Sequence, residues 1–144
     1  MSTRLYLDTS ALVKLVRAEP ESDSLMEVIA HAGTTPVASA LVCVELRATV
    51  AAATHGGAAA ERERVERILE AIDLVAMDDA VLDEAGRLDL PGARLPDAIH
   101  VATARLLSGD LAALVTYDRH LLVAAGELGL PVASPGAEAT PGPF

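Results

Sequence analysis

Arg4-Leu5-Tyr6-Leu7-Asp8 is a short apolar run that ends on an acid, and the fold can be inferred outward from it. A run of this length and composition predicts a buried strand. Thr9 and Ser10 follow it with hydroxyls that can cap a helix, and residues 11–16 continue with helical spacing. A buried strand that passes directly into a helix indicates an α/β protein.

The same alternation of short apolar strands and helices continues to residue 133. It is typical of a parallel sheet with helices on both faces, so we predict a three-layer α/β/α fold with about four or five strands. Further strands are predicted at 36–39, 72–76, 112–116 and just before 133, and helices at 21–31, 40–54, 58–71, 80–88, 95–107 and 118–128.

The composition is uniform over most of the 144 residues, which predicts one domain over residues 1–133. Residues 134–144 are rich in Pro, Gly and Ala, and we expect them to form a disordered tail. Cys43 is the one cysteine, so no disulfide can form within the chain. Its apolar neighbours predict a small buried side chain.

Charge and hydropathy narrow the possible partners. The sequence shows neither a signal peptide nor an apolar run near the ~20 residues that span a bilayer, so we expect a cytoplasmic protein without a membrane partner. The formal net charge of −10 argues against a broad basic surface for nucleic acid. However, every basic residue except Lys14 is an arginine, the better ligand for phosphate.

Two acids, Asp8 and Asp118, lie where a predicted strand gives way to a helix. Each can simply be a helix cap, although Thr9 or Ser10 can take that role in place of Asp8. Ligands of parallel α/β sheets bind at the carboxyl ends of the strands. We therefore expect these two acids to share a site.

Glu45 lies in the middle of the predicted helix 40–54, where no capping role is open to it. It borders the apolar face beside Val44, and a carboxylate buried there needs a partner. The competing interpretation is an exposed glutamate paired with an arginine. Glu45 is thus the acid whose position is hardest to explain by local structure.

Asp97 and Thr116 complete the candidate set. Asp97 follows Pro96 at the start of helix 95–107, where it is either a cap or a further member of the site. The Thr116 hydroxyl can hold a carboxylate or a metal-bound water, or it can belong to an ordinary strand threonine. Together Asp8, Glu45, Asp97 and Asp118 predict a cluster of acids at one edge of the sheet.

Such a cluster implies metal chemistry. Three or four neighbouring carboxylates cannot all stay ionised without cations. Hard oxygen ligands select Mg²⁺ or Mn²⁺. A metal held in this way lowers the pKa of a bound water and neutralises a phosphate, which is the chemistry of phosphodiester hydrolysis.

Four segments around these acids resemble the four motifs of PIN-domain nucleases, whose small bacterial members are VapC-type toxins. The resemblance extends from about residue 4 to 133, and the strongly acidic charge is its main departure. The segments are Leu7-Asp8-Thr9-Ser10-Ala11, Val42-Cys43-Val44-Glu45-Leu46-Arg47, Leu95-Pro96-Asp97-Ala98-Ile99-His100 and Val115-Thr116-Tyr117-Asp118-Arg119.

The resemblance implies a PIN-like fold and an Mg²⁺- or Mn²⁺-dependent endoribonuclease. Such a toxin cleaves RNA to leave 5′-phosphate and 3′-hydroxyl ends, inhibits translation or growth, forms a homodimer and is blocked by an antitoxin. By motif, the catalytic and metal-binding residues are Asp8, Glu45, Asp97 and Asp118. Thr116 matches a hydroxyl position often found near the fourth acid.

Four further residues lie close to the acids in sequence. Arg94, Arg119 and His120 are candidates to contact RNA phosphates, although each is equally well interpreted as a solvated helix charge. His100 comes one turn after Asp97, where it is either a packed side chain or a proton relay. The sequence leaves these alternatives open.

Two other classes of function compete with the nuclease. One is a non-catalytic PIN-like module that only binds an antitoxin or another protein. The other is a Mg²⁺-binding phosphoacceptor signalling domain, which needs an adjacent acid pair after the first strand and a lysine after a late one. Asp8 stands alone and Lys14 is the one lysine, so the second alternative is disfavoured.

Overall fold

The computed structural model describes residues 3–90, 92 and 94–137. The described residues form seven helices and five strands, in the alternating order that the sequence predicts. They are β1 (Thr3–Leu7), α1 (Thr9–Val16), α2 (Ser22–Ile29), β2 (Thr34–Ser39), α3 (Val42–Ala51), α4 (Ala58–Ala71), β3 (Asp73–Val75), α5 (Asp79–Arg87), α6 (Leu95–Leu106), β4 (Leu111–Val115), α7 (Arg119–Glu127) and β5 (Val132–Ala133).

The strands form one parallel sheet with the order β3-β2-β1-β4-β5, which confirms the predicted parallel sheet. β1 lies in the middle, so Tyr6 is paired with Val37 of β2 on one side and with Leu114 of β4 on the other. The chain runs outward from β1 to β3, then crosses back to β4 and β5. The strand order therefore reverses between β1 and β4, the position where ligands bind in open α/β sheets.

Helices cover both faces of the sheet because successive strand residues point to opposite sides. Leu5 and Leu7 of β1 pack into a core with α1, α2, α3 and α4. Tyr6, between them, packs into a second core with α6 and α7. These two cores make the predicted three layers, and α5 lies against α6.

The helix α3 departs from the sequence-based prediction. It is shorter than residues 40–54, and its buried residues are Val42, Leu46 and Val50. Val44 is 68% exposed, so the apolar face does not include it as predicted. Cys43 is only partly buried, at the edge of the first core.

The predicted disordered tail begins too early at residue 134. Ser134 and Pro135 are buried. The Ser134 hydroxyl donates to the Thr116 carbonyl at 2.6 Å, and the Pro135 carbonyl accepts from the Tyr117 hydroxyl at 2.7 Å. Residues 138–144 of that tail lie outside the described residues. No helix within the described ranges is long and apolar enough to cross a membrane.

Candidate active site

Asp8 follows β1 directly and is almost completely buried. Its Oδ1 accepts hydrogen bonds from the Ala11 N–H at 3.0 Å and from the Ser10 hydroxyl at 2.7 Å. Its Oδ2 accepts one from the Thr116 hydroxyl at 2.5 Å. Asp8, rather than Thr9 or Ser10, is therefore the N-cap of α1, and its second oxygen is held by the residue that follows β4.

The environment of Asp8 changes its acidity. Burial raises the pKa of the Asp8 carboxyl above its usual range. The nearby His100 and the hydrogen bonds from Thr116, Ser10 and Ala11 only partly offset this effect. Burial thus disfavours the ionised form of the Asp8 carboxyl, and a nearby cation would favour it.

Glu45 lies in the first turn of α3, not in the middle of a helix as the sequence predicts. Its Oε1 accepts a hydrogen bond from the Thr9 hydroxyl at 2.7 Å and lies 2.9 Å from Nε2 of His100. Partial burial acts to raise the pKa of Glu45, but the hydrogen bonds from His100 and Thr9 outweigh it and hold that pKa below its usual range. Its partner is a histidine rather than an arginine.

Asp97 is the third residue of α6 and is buried. It is not the N-cap of that helix, which is Arg94. Instead, its Oδ2 accepts a hydrogen bond from the Arg94 N–H at 3.1 Å, one turn back. This hydrogen bond to the N-cap backbone thus occupies one of the two carboxylate oxygens of Asp97.

Asp118 follows β4 and is the N-cap of α7, where its Oδ1 accepts from the His120 N–H at 2.9 Å and the Leu121 N–H at 3.4 Å. Its own N–H donates to Thr116 Oγ1 at 3.0 Å. The Thr116 hydroxyl therefore joins two of the acids, because it donates to the side chain of Asp8 and accepts from the backbone of Asp118.

These side chains line one cavity of about 190 Å³ where β1 and β4 end. The topology brings them together from four helices: α1, α3, α6 and α7. All four acids that the sequence singles out take part. The lining residues are Asp8, Thr9, Ser10, Glu45, Arg94, Pro96, Asp97, His100 and Asp118.

The cavity carries far more negative than positive charge. Glu45 is paired with His100, and within the described part of the chain the other three acids form no ion pair. Arg94 is the arginine among the lining residues, and it is exposed. An electrostatic environment of this kind attracts cations.

The chemistry of the donor set fits a hard divalent cation, since it consists of carboxylate and hydroxyl oxygens with one imidazole. In residues 3–90, 92 and 94–137, no three acidic, histidine or cysteine side chains already form a metal-binding group. Instead, one oxygen of each of Asp8, Asp97 and Asp118 accepts a hydrogen bond from a backbone N–H. The residues therefore fit a metal by charge and donor type, with side chains that are held by internal hydrogen bonds.

Of the predicted phosphate contacts, the structure brings only Arg94 to the acids. Arg119 and His120 are exposed and line a separate, larger groove of about 570 Å³ along α7. That groove also contains Asp89 and Glu127, but none of the four candidate acids.

Thr9 and Ser10 also line the acidic cavity, although their sequence positions predict only a capping role. His100 lines it as well, and a proton relay is one of the two interpretations of this residue from sequence. His100 is both packed and polar: it is buried, and both ring nitrogens have hydrogen-bond partners. A signal for it was present, because His100 lies three residues after Asp97 and so shares its helix face.

Comparison with known proteins identifies the sequence family. The model of the PIN domain matches residues 5–127. A ribonuclease VapC46 of Mycobacterium tuberculosis is 42% identical over 131 residues, which cover 91% of this chain and 97% of that protein. A ribonuclease VapC35 from the same species is 39% identical, over 92% of this chain and 97% of the relative.

Solved structures show the same fold. FitAcB from Neisseria gonorrhoeae superposes with a TM-score of 0.69 at 21% identity, covering 91% of this chain and 97% of that one. VapBC2 from Rickettsia felis, bound to a DNA fragment from its promoter, gives a TM-score of 0.66 at 17% identity, with coverages of 91% and 98%.

Proposed function

The chain belongs to the PIN-domain family, and on that premise we propose that it is a metal-dependent endoribonuclease, the toxin of a toxin–antitoxin pair. The observation that carries the proposal is the single cavity lined by Asp8, Glu45, Asp97 and Asp118. Relatives of matching length that carry the name ribonuclease, at 36–42% identity, support the same activity.

In this proposal the four acids are both the catalytic and the metal-binding residues, and the ion is Mg²⁺ or Mn²⁺. When bound, the metal supplies an activated water and neutralises charge on the phosphate. The raised pKa of Asp8 supports the assignment, because a buried carboxylate of this kind gains most from a nearby cation. Water adds to phosphorus as the bond to the 3′ oxygen breaks, which leaves 5′-phosphate and 3′-hydroxyl ends.

The surrounding side chains hold this site in shape. The Thr116 hydroxyl donates to one oxygen of Asp8, and the Ser10 hydroxyl donates to the other. Thr9 and His100 fix one oxygen of Glu45. Preorganised carboxylates lower the cost of reaching the reactive arrangement, because less side-chain freedom is lost when the metal and the substrate bind.

RNA binding must be local, because the chain carries a net charge of −10. Arg94 is the cation placed to hold a substrate phosphate beside the acids. With so few phosphate contacts, we expect RNA affinity to depend only weakly on salt. Arg119 and His120, in the separate groove, have no support as contacts at the cleaved bond.

The partners follow from the same family. Structural neighbours include a toxin–antitoxin complex from Klebsiella pneumoniae and a member of the VapBC family of toxin–antitoxin systems, which supports a cognate antitoxin for this chain. In this proposal the antitoxin covers the acidic cavity. We also propose a homodimer, as the resemblance to VapC-type toxins implies. RNA and an antitoxin as partners imply that the protein works in the cytoplasm.

The test is RNA cleavage with Mg²⁺ or Mn²⁺, comparing the wild type with Asp8→Asn and Asp97→Asn. We expect wild-type cleavage that EDTA abolishes and that both variants largely lose. Mapping the RNA ends by phosphate-dependent ligation tests the predicted 5′-phosphate. A wild type that cuts no RNA with either metal overturns the nuclease in favour of a non-catalytic binding module, and variants that cut equally well overturn the site.

A further inference from the structure

A chain of hydrogen bonds leads from the centre of the sheet to the acidic cavity. The Tyr6 hydroxyl, in β1, lies 2.7 Å from Nδ1 of His100, in α6. Nε2 of the same ring lies 2.9 Å from Oε1 of Glu45, in α3. The ring thus joins two helices that cover opposite faces of the sheet, at the edge where the acids meet.

The direction of these hydrogen bonds follows from the groups involved. A carboxylate only accepts, so Nε2 of His100 carries the proton that faces Glu45. Burial raises the pKa of the Tyr6 hydroxyl, so it keeps its proton. Its oxygen accepts from the Ser39 N–H at 3.3 Å, and Nδ1 at 2.7 Å is its closest acceptor.

Packing leaves the ring little freedom to turn. Tyr6 is fully buried and His100 is 3% exposed, with the two rings edge to face and their centroids 5.8 Å apart. Glu45, by contrast, is the most exposed of the three hydrogen-bonded residues, with a quarter of its side chain accessible to solvent. A rigid, buried ring therefore holds the partly exposed carboxylate of Glu45, together with the Thr9 hydroxyl.

We propose that His100 is a positioning residue for the active site: it holds Glu45 towards the cavity through Nε2–H, and Tyr6 orients the ring through Nδ1. The proposal rests on the proposed metal-dependent function, which requires Glu45 to be correctly directed. Outer hydrogen-bond partners of this kind typically change metal affinity or activity by about 10- to 100-fold when they are removed.

Two substitutions of similar size separate positioning from packing. In His100→Gln the side-chain amide nitrogen takes the place of Nε2 and can still donate to Glu45. In His100→Asn the shorter amide reaches only the place of Nδ1, beside Tyr6. Both variants lose the ring and are expected to lose similar thermal stability.

There are two readouts. The first is Mn²⁺ affinity without RNA, measured from the electron paramagnetic resonance signal of the free ion, and the second is RNA cleavage. We expect His100→Asn to bind Mn²⁺ about 10-fold more weakly than the wild type, and His100→Gln to recover most of the loss. Equal Mn²⁺ affinities in the two variants overturn the proposal. If the wild type itself neither binds Mn²⁺ nor cuts RNA, the proposed function fails instead.

A proton NMR measurement tests the geometry without metal or RNA. The buried Nε2–H of His100 should give a slowly exchanging downfield resonance that shifts in Glu45→Gln and in Tyr6→Phe. Tyr117→Phe is the matched control, because it removes a tyrosine hydroxyl that donates to the Pro135 carbonyl instead. A resonance that responds equally to all three substitutions, or is absent in the wild type, contradicts the assigned hydrogen bonds.

Discussion

The carboxyl ends of β1 and β3 carry the same local structure but different chemistry. At each, an aspartate caps the next helix: Asp8 Oδ1 accepts from the Ala11 N–H at 3.0 Å, and Asp78 Oδ1 accepts from the Val81 N–H at 3.0 Å. Asp8 is buried beside the central strands, whereas Asp78 is exposed at the edge strand. The cap is a property of local sequence, and the site is a property of position in the sheet.

The second oxygen of Asp8 explains the difference. β4 lies next to β1, and Thr116, the residue that follows β4, supplies its hydroxyl to Asp8. The crossover to β4 brings Asp97 and Asp118 to the same cavity. β3 has a neighbour on one side only, so its capping aspartate meets solvent there. The same residue type therefore acts in one place as a cap alone and in the other as a cap inside an acidic cavity.

The largest expected effect comes from removing the charge at each cap. Asp8→Asn should lower RNA cleavage by about 100-fold or more, because a metal-binding carboxylate is worth several kcal/mol in the transition state. Asp78→Asn should leave cleavage unchanged, since Asn is an equally good cap. Single-turnover rates measure both, and equal losses would mean that the two strand ends do not differ in function.

A smaller effect is expected from removing the hydrogen bond that the Thr116 hydroxyl donates to Asp8. Thr116→Val removes the hydroxyl that links Asp8 to the Asp118 backbone, and should slow cleavage by about 10-fold. Thr35→Val, in β2 outside the cavity, is the control and should cut RNA at the wild-type rate. Full activity of Thr116→Val would show that cleavage does not depend on the hydrogen bond from Thr116 to Asp8.

The pH dependence of stability should also separate the two caps. Because the pKa of Asp8 is raised in the folded state, its contribution to stability is greatest below the unfolded pKa of about 3.9 and is lost as pH rises through the folded value. Asp8→Asn should therefore become more stable relative to the wild type at pH 7 than at pH 4.

The measurement is thermal unfolding at both pH values in EDTA, which removes any metal. Asp78→Asn is the matched control, as it removes one negative charge without a buried carboxyl. A relative stability of Asp8→Asn that stays constant with pH, or that falls towards neutrality, would contradict the sign of this effect.

The smallest effect is expected at β3. Asp78→Ala removes the cap of α5 and should cost about 1 kcal/mol in the free energy of unfolding, with cleavage unchanged. Urea denaturation gives the stability, and the rate assay gives the activity. A loss of cleavage in this variant would connect the β3 end to the active site and break the comparison.

Most of the elements could be predicted from sequence because their signals are local. The bounds of α4 are those predicted, since the Gly56-Gly57 pair and the strand that follows set its two ends. Val44 was placed wrongly, because helical spacing alone does not say which apolar residues face the sheet. The packing of Ser134 under Thr116 was missed because a small polar residue after a strand gives no packing signal.

For the site, the sequence identified the candidate acids but not which side chains contact one another or which cavity each one lines. Asp8 and Asp118 could be paired because both follow strands, and Glu45 stood out because its predicted position offered no cap. That Glu45 meets His100 could not be foreseen, because the two are 55 residues apart and lie on helices of different layers. Arg94 and Arg119 looked alike in sequence, and only the fold placed them at different cavities.

The sequence by itself determined the alternating strands and helices, the family resemblance and the four candidate acids, because each depends on a few neighbouring residues or on a motif. The tertiary structure alone decided the strand order, the burial that changes the pKa of Asp8, and the link from Tyr6 through His100 to Glu45. The reason is that burial and hydrogen bonding between distant segments depend on which strands become neighbours, and no local pattern encodes that choice.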